Sequence, residues 1–234
     1  MAENPVKVTF HGHANIGIES DGYHILIDPF FTDNPQAQIG PDEVDADFIL
    51  ITHGHGDHVG DAVAIAQRTG ATVIANFEIA TWLGNQGVED EKIHPLHIGG
   101  GNTFPFGYCK LTIAHHGSSL PDGSYGGNPG GYLLKLNNGK TIYFAGDTAL
   151  TYDMKLLADE NVDLAILPIG DNFTMGQDDA IKAITFIQPK LVLPIHYNTW
   201  GFINSDVNRF QQRVLDETDA GCIVLEPEDS YLLS

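Results

Sequence analysis

Cysteine is scarce in this chain: Cys109 and Cys222 are the only two, far apart and without a close-spaced partner. Their scarcity excludes a disulfide framework and a thiolate zinc site, and leaves two small apolar residues suited to a reducing compartment. Basic residues are also few. Lys and Arg total 11 against 31 Asp and Glu, a formal charge of -20, so a nucleic acid or an anionic membrane meets repulsion over most of the surface. No apolar run reaches the length of a membrane span, and the amino-terminal "MAENPVKVTF" has no basic stretch followed by an apolar one. A cytoplasmic chain acting on a small molecule, with neither a nucleic-acid nor a membrane partner, is the expectation. Pro/Ser-rich linkers, low-complexity tracts and short-period repeats are missing too, so residues 1–234 read as one domain, 42% hydrophobic and large enough for a real core. Nothing in the sequence fixes whether that domain forms a homo-oligomer.

What is present is alternation. Runs rich in Val and Ile predict strands over 6–10, 16–19, 24–28, 48–52, 72–75, 110–114, 132–136, 141–145, 164–168, 191–195 and 222–225. Asn138-Gly139 between two of them predicts a two-residue hairpin turn. Helices are expected over 61–68, 78–85, 152–160, 178–187 and 205–218; in the fourth, Ala180, Ile181, Ile184 and Ile187 share one face. Hairpins early and strand-helix alternation in both halves imply an α/β fold of mixed sheets with helices outside, a four-layer αββα sandwich being the natural form.

Four apolar runs end in residues able to bind metal: "FILITHGHGDH", "KLTIAHHGSS", "TIYFAGDTAL" and "KLVLPIHYNT". Ligands commonly sit where strands give way to loops, so these ends are expected to converge on one site. In the first, His53, His55, Asp57 and His58 crowd a short segment in which Gly54 and Gly56 permit a tight turn. Four donors are too many for one tetrahedral ion that also needs an outside ligand and an open position. Two adjacent ions fit better, and neutral imidazoles with carboxylates suit zinc, manganese, iron or nickel.

H-x-H-x-D-H, as His53, His55, Asp57 and His58, is the signature of the metallo-β-lactamase superfamily, which this chain resembles over almost its whole length. "ILIDPFFTDNP", "YGGNPGGYLL", "AGDTALTYDMKLL", "LPIGDNFTMGQDDA" and "LVLPIHYNT" are similar to a group of metal-dependent hydrolases related to L-ascorbate 6-phosphate lactonase. The resemblance implies an αββα fold of two similar halves with the site along one edge. It also implies two divalent ions, zinc first among them: His53, His55 and His116 on one, Asp57, His58 and His196 on the other, and Asp147 bridging. The family segment carries a single histidine where this chain has His115-His116; the flanking "IA" and "SS" select His116, with His115 the alternative, since neighbours at a strand end point to opposite sides.

Three further residues have two readings each. By resemblance His13 faces the second shell or the substrate; otherwise it is a structural histidine. Asp28 orients a metal-bound histidine or caps the Pro29-Phe30 turn. Asn172 donates to a developing oxyanion or merely shapes its loop. Tyr197 and Trp200 are expected nearest the substrate, and Asp61 to open the next helix.

The implied chemistry is hydrolysis of a small ester, lactone or phosphodiester by a hydroxide bridging the two ions, with Asp57 orienting it and handling its proton. The alternatives are a nuclease or nucleotide phosphodiesterase, which calls for a basic surface, and a non-catalytic metal-binding module, which calls for lost ligands. A diiron redox role calls for a glutamate where His55 stands.

Overall fold

A computed structural model describes residues 5–234; the first four residues of "MAENPVKVTF" lie outside the described residues. The strands are β1 (Val6–Phe10), β2 (Ile16–Ser20), β3 (Tyr23–Ile27), β4 (Phe48–Leu50), β5 (Thr72–Asn76), β6 (Ile93–Leu96), β7 (Gly101–Phe104), β8 (Gly107–Ile113), β9 (Gly130–Leu136), β10 (Thr141–Phe144), β11 (Leu164–Pro168), β12 (Leu191–Ile195), β13 (Gly221–Cys222) and β14 (Ser230–Leu233). They form two seven-stranded sheets, ordered β14-β1-β2-β3-β4-β5-β6 and β13-β12-β11-β10-β9-β8-β7. Each half begins with antiparallel pairs and continues in parallel ones, from β3 beside β4 and from β10 beside β11.

Side-chain alternation builds the layers. Ile25 and Ile27 join the core between the sheets, together with Leu50, Tyr132, Leu134, Phe144 and Ile195. Leu26 and Ile49, one residue out of phase, pack outward beneath helices α2 (Ala62–Thr69) and α3 (Phe77–Asn85). Leu133 and Ala165 face α4 (Gln177–Ile187) and α5 (Val207–Glu217) on the opposite side. Three apolar interfaces separate four layers, the expected αββα sandwich. Among the described residues no helix is long and apolar enough to cross a membrane.

The central strands fall where the apolar runs predict them, whereas β6, β7 and β14 were not anticipated. All three are sheet edges, and their sequences IHPL, GNTF and SYLL are short, with Pro, Gly or polar residues in place of a Val/Ile run. The expected strand over 222–225 shrinks to Gly221–Cys222. The predicted helix over 152–160 winds as 3-10 turns, matching the three-residue spacing of its buried Met154 and Leu157. The hairpin between β9 and β10 closes through three loop residues, 137–139: Leu136 pairs with Lys140, and Gly139 takes the left-handed position at φ 89°.

Tyr132 ties the sheets together near the site. Fully buried on β9, its hydroxyl lies 2.9 Å from the carbonyl oxygens of Ile51 and Ile74 in the opposite sheet. Tyr132→Phe is expected to lower stability by about 1–2 kcal/mol, the cost of taking the hydroxyl from the buried Ile51 carbonyl, the Ile74 carbonyl keeping the Ile51 amide. A urea midpoint unchanged from the parent protein would contradict that role.

Candidate metal centre

Direction explains convergence. β1 and β3 both oppose β2, and β4 parallels β3; in the other sheet β8 and β10 both oppose β9, and β12 parallels β11 and β10. The carboxyl ends of β1, β3, β4, β8, β10 and β12 therefore deliver the segments holding His13, Asp28, His53 to His58, His116, Asp147 and His196.

Two groups of donors form there, besides a third in which Asp28 joins His53 and His58. His53, His55 and His116 make the first; His13, Asp57, His58 and His196 make the second, the donor atoms within each group lying within 4.8 Å of one another. Asp147 stands between them, its Oδ2 3.5 Å from His116 Nε2, 3.4 Å from His58 Nε2 and 3.1 Å from His196 Nε2. His116 turns in and His115 is exposed. His53, His58, Asp147 and His196 are buried, whereas His55, Asp57 and His116 are half-buried and form the side open to solvent.

The H-x-H-x-D-H segment achieves its geometry differently from the expected glycine turn. Neither Gly54 nor Gly56 has a left-handed backbone. A Cβ on Gly54 would lie 3.2 Å from Leu120 Cγ, and Gly56 begins the helical turn α1 (Gly56–Val59) that presents Asp57 and His58. Left-handed geometry appears instead at His13 (φ 58°), Asp28 (φ 48°) and His196 (φ 55°), where side chains pay the steric cost and the surroundings must hold them. Gly146, at φ 63°, precedes Asp147, and a Cβ there would meet the Gly130 carbonyl at 2.9 Å.

Buried partners fix the rings. Asp28 accepts from His58 Nδ1 at 2.7 Å and from the amide and hydroxyl of Thr52 at 2.8 and 2.6 Å. Its side chain is thus committed to the site rather than to the Pro29-Phe30 turn. Thr52 Oγ1, having donated to Asp28, accepts from His53 Nδ1 at 3.0 Å. Both rings are left with Nε2 facing the cluster. His13 is fully buried, with Thr199 Oγ1 2.8 Å from Nδ1 and Asp57 Oδ2 3.1 Å from Nε2. Trp200 meets the His13 ring edge-on, centroids 4.8 Å apart, while Tyr197 is buried. Asn172 sits exposed in a left-handed turn, its amide donating to Asp171 Oδ1, and no hydrogen bond among the described residues joins it to the cluster. Asp61 does precede α2, but its carboxylate accepts from Phe31, Thr32 and the Thr32 hydroxyl, pinning the segment after β3 rather than capping the helix.

The electrostatics suit cations. Burial works to raise Asp147, yet the charges of His196 and His58 hold its carboxyl well below the usual range. Burial would equally raise Asp57, but the His13 hydrogen bond and the His58 charge push it down. Burial lowers His53, His55 and His116, keeping those imidazoles neutral and able to donate lone pairs. His58 runs the other way: Asp147 and Asp28 outweigh its burial and hold it well above the ordinary value. Two buried atoms facing the cluster, His58 Nε2 and Asp147 Oδ1, have no hydrogen-bond partner among the described residues. Unpaired buried donors and acceptors are costly, and a metal ion is the partner that imidazole and carboxylate share.

The metal-free protein should accordingly weaken in acid. Burial lowers His13 from 6.5 to about 4 and His53 well below 6.5, so as pH falls from 6.5 the unfolded chain takes up protons that the folded chain refuses. Each such group removes up to about 1.4 kcal/mol per pH unit. His55 and His116, lowered by burial, act in the same sense; Asp28, pushed up by burial despite His58 and Thr52, and His58, held up by Asp147 and Asp28, act in the opposite one, two groups against four. A urea midpoint lower at pH 5 than at pH 7 is expected; equal midpoints would contradict it.

Two stacked mixed sheets with a histidine and carboxylate cluster at their shared edge define the scaffold of a metallo-hydrolase. The family model for the β-lactamase superfamily domain matches residues 23–197, and the chain belongs to that family. It is 54% identical to a UPF0173 metal-dependent hydrolase of Carboxydothermus hydrogenoformans over 211 residues, covering 89% of this chain and 92% of that one. It is 48% identical to another of the same name from Heliobacterium modesticaldum, covering 98% of each. In three dimensions it matches Igni18, a metallo hydrolase from Ignicoccus hospitalis, at a TM-score of 0.88 and 34% identity over 99% of both chains. The chain is a metal-dependent hydrolase.

Proposed function

We propose that this hydrolase is binuclear and acts on a small ester, lactone or phosphodiester. The observation that carries the reading is Asp147, whose Oδ2 lies within 3.5 Å of imidazoles from both donor groups. Two bound divalent ions supply a water of lowered pKa and a Lewis acid for the substrate's oxygen. Around them the chain's own residues divide the work. His53, His55 and His116 hold one ion, Asp57, His58 and His196 the other, and Asp147 both. Asp28 and Thr52 keep His58 and His53 as Nδ1–H tautomers, so that Nε2 offers its lone pair. Asp57, on the solvent side, is ionised and placed to take a proton from the attacking water and to return it to the leaving oxygen.

Zinc is the first choice of metal, with manganese, iron and nickel also served by these ligands. The net charge of -20 disfavours a polyanionic substrate and so a nuclease, and the lactonase-like sequence stretches favour a cyclic or acyclic ester. Free thiols at Cys109 and Cys222 support a reducing cytoplasm.

The test is metal analysis of the purified protein, then chelation, reconstitution with zinc, manganese, iron or nickel, and a panel of lactones, phosphodiesters and thioesters. About two ions per chain and metal-restored turnover on one ester class are expected. Bound metal in neither preparation, with no turnover on any ester, would overturn the reading.

A further inference from the structure

The geometry points to His13 as an additional protein ligand of the second ion, which makes the two metal positions unequal. The inference rests on the binuclear reading above and concerns how the second position is built.

A hydrogen bond from His13 to Asp57 is the simpler account of their contact, and what lies around the pair points further. Hydrogen-bonded histidine–carboxylate pairs in this protein span 2.7 Å between His58 and Asp28 and 3.1 Å between His11 and Glu228, so length alone does not separate the two accounts. His13 Nε2 lies 3.1 Å from Asp57 Oδ2, close to the 3.0 Å between His53 Nε2 and His55 Nδ1. Two donors about 2.1 Å from one ion, at a nearly right angle, are about 3 Å apart.

The backing of the ring tells the same story. His53 Nδ1 is held by the hydroxyl of Thr52, and His13 Nδ1 is held by the hydroxyl of Thr199, 2.8 Å away and from a different segment. That second partner fixes the ring so that Nε2 faces the donor group containing Asp57, His58 and His196. The backbone is fixed as well. The His13 amide donates to Gln36 Oε1, and its carbonyl accepts from the amide of His196 at 2.7 Å, locking together two residues that both have left-handed backbones. A structural histidine needs none of this registration with His196.

With His13, the second position has five protein donors: His13, Asp57, His58, His196 and the shared Asp147. The first has four: His53, His55, His116 and Asp147. Four nitrogen and oxygen donors suit tetrahedral zinc, whereas five with space for water suit manganese, iron, cobalt or nickel. The two positions therefore select different ions from a mixture.

The test is titration of the metal-free protein with cobalt(II), following stoichiometry and visible absorption, which strengthens as coordination number falls. The parent protein should take two ions in separable steps. In His13→Ala the second step should weaken at least about tenfold and its absorption intensify, with the first step unchanged. His13→Gln, which can still donate a hydrogen bond to Asp57, should behave as His13→Ala does; if glutamine restores second-step affinity, His13 only positions Asp57 and the inference falls. Should the variants fail to fold, the crystal structure of the cobalt-loaded parent decides. An ion about 2.1 Å from His13 Nε2 supports the inference, and one beyond about 3 Å overturns it. Two tight ions in both parent and variants overturn the inference alone; a parent that binds one ion overturns the binuclear reading with it.

Discussion

Asp147→Asn, stripped of metal and reconstituted, is expected to retain at most one tightly bound ion and to lose roughly 10³-fold or more in turnover. The substitution changes almost nothing in volume. What it removes is the charge at the centre of the cluster, where Oδ2 approaches three imidazoles and Oδ1 is buried without a hydrogen-bond partner among the described residues. Asparagine has one acceptor in place of two equivalent anionic oxygens, and its amide nitrogen cannot bind a cation. A ligand held by one ion would on loss weaken one position; on the binuclear reading proposed above Asp147 serves both, so stoichiometry as well as rate should fall. The control is the metal-free protein, in which circular dichroism distinguishes a folded variant from a collapsed site. An Asp147→Asn protein with two ions and full turnover would show that the carboxylate does not bridge.

The run ends point to this residue from the sequence alone. "TIYFAGDTAL" is a strand that stops on Gly-Asp, and Ile142 and Phe144 alternate as a central strand requires. The same logic reaches His53, His116 and His196, because each follows an apolar run whose burial forces its direction. It fails at the sheet margins, where β7 reads GNTF and only pairing with β8 makes it a strand. It fails also for backbone shape. His13, Asp28 and His196 are left-handed without being glycine, a state that local sequence disfavours and that contacts across the chain impose: the His13 carbonyl on the His196 amide, the Leu50 carbonyl on the Asp28 amide. For that reason His13 and Asp28 each carried two readings in the sequence. The Asp28 side chain contacts His58 and Thr52 and leaves the turn to its own backbone, the Phe30 amide donating to the Asp28 carbonyl at 2.8 Å. Asn172 shows the limit from the other side, since a polar residue in a loop between two site segments sits exposed outside the cluster.

Asp28→Ala should be the most destabilising single change at the centre, at about 3–5 kcal/mol in the metal-free protein. The carboxylate is fully buried and accepts from three donors, the Thr52 amide, the Thr52 hydroxyl and His58 Nδ1. Alanine leaves all three without an acceptor in a site that water does not reach, and leaves His58 without one of the two carboxylates that hold its proton. Metal binding should suffer by a separate route. Without Asp28 the His58 ring is free to rotate and to change tautomer, and the Thr52 hydroxyl that steadies His53 loses its own anchor, so a fall of 10- to 100-fold in second-ion affinity is expected. Asp28→Asn keeps an acceptor at the Oδ2 position for His58 and the Thr52 hydroxyl but turns an amide towards the Thr52 amide, which places it between alanine and the parent. Urea unfolding of the metal-free proteins reads the first effect and equilibrium dialysis against zinc the second. If Asp28→Ala unfolded within about 0.5 kcal/mol of the parent and held its second ion as tightly, the buried carboxylate would be a passive filler. The distances of 2.6–2.8 Å on its three bonds argue otherwise.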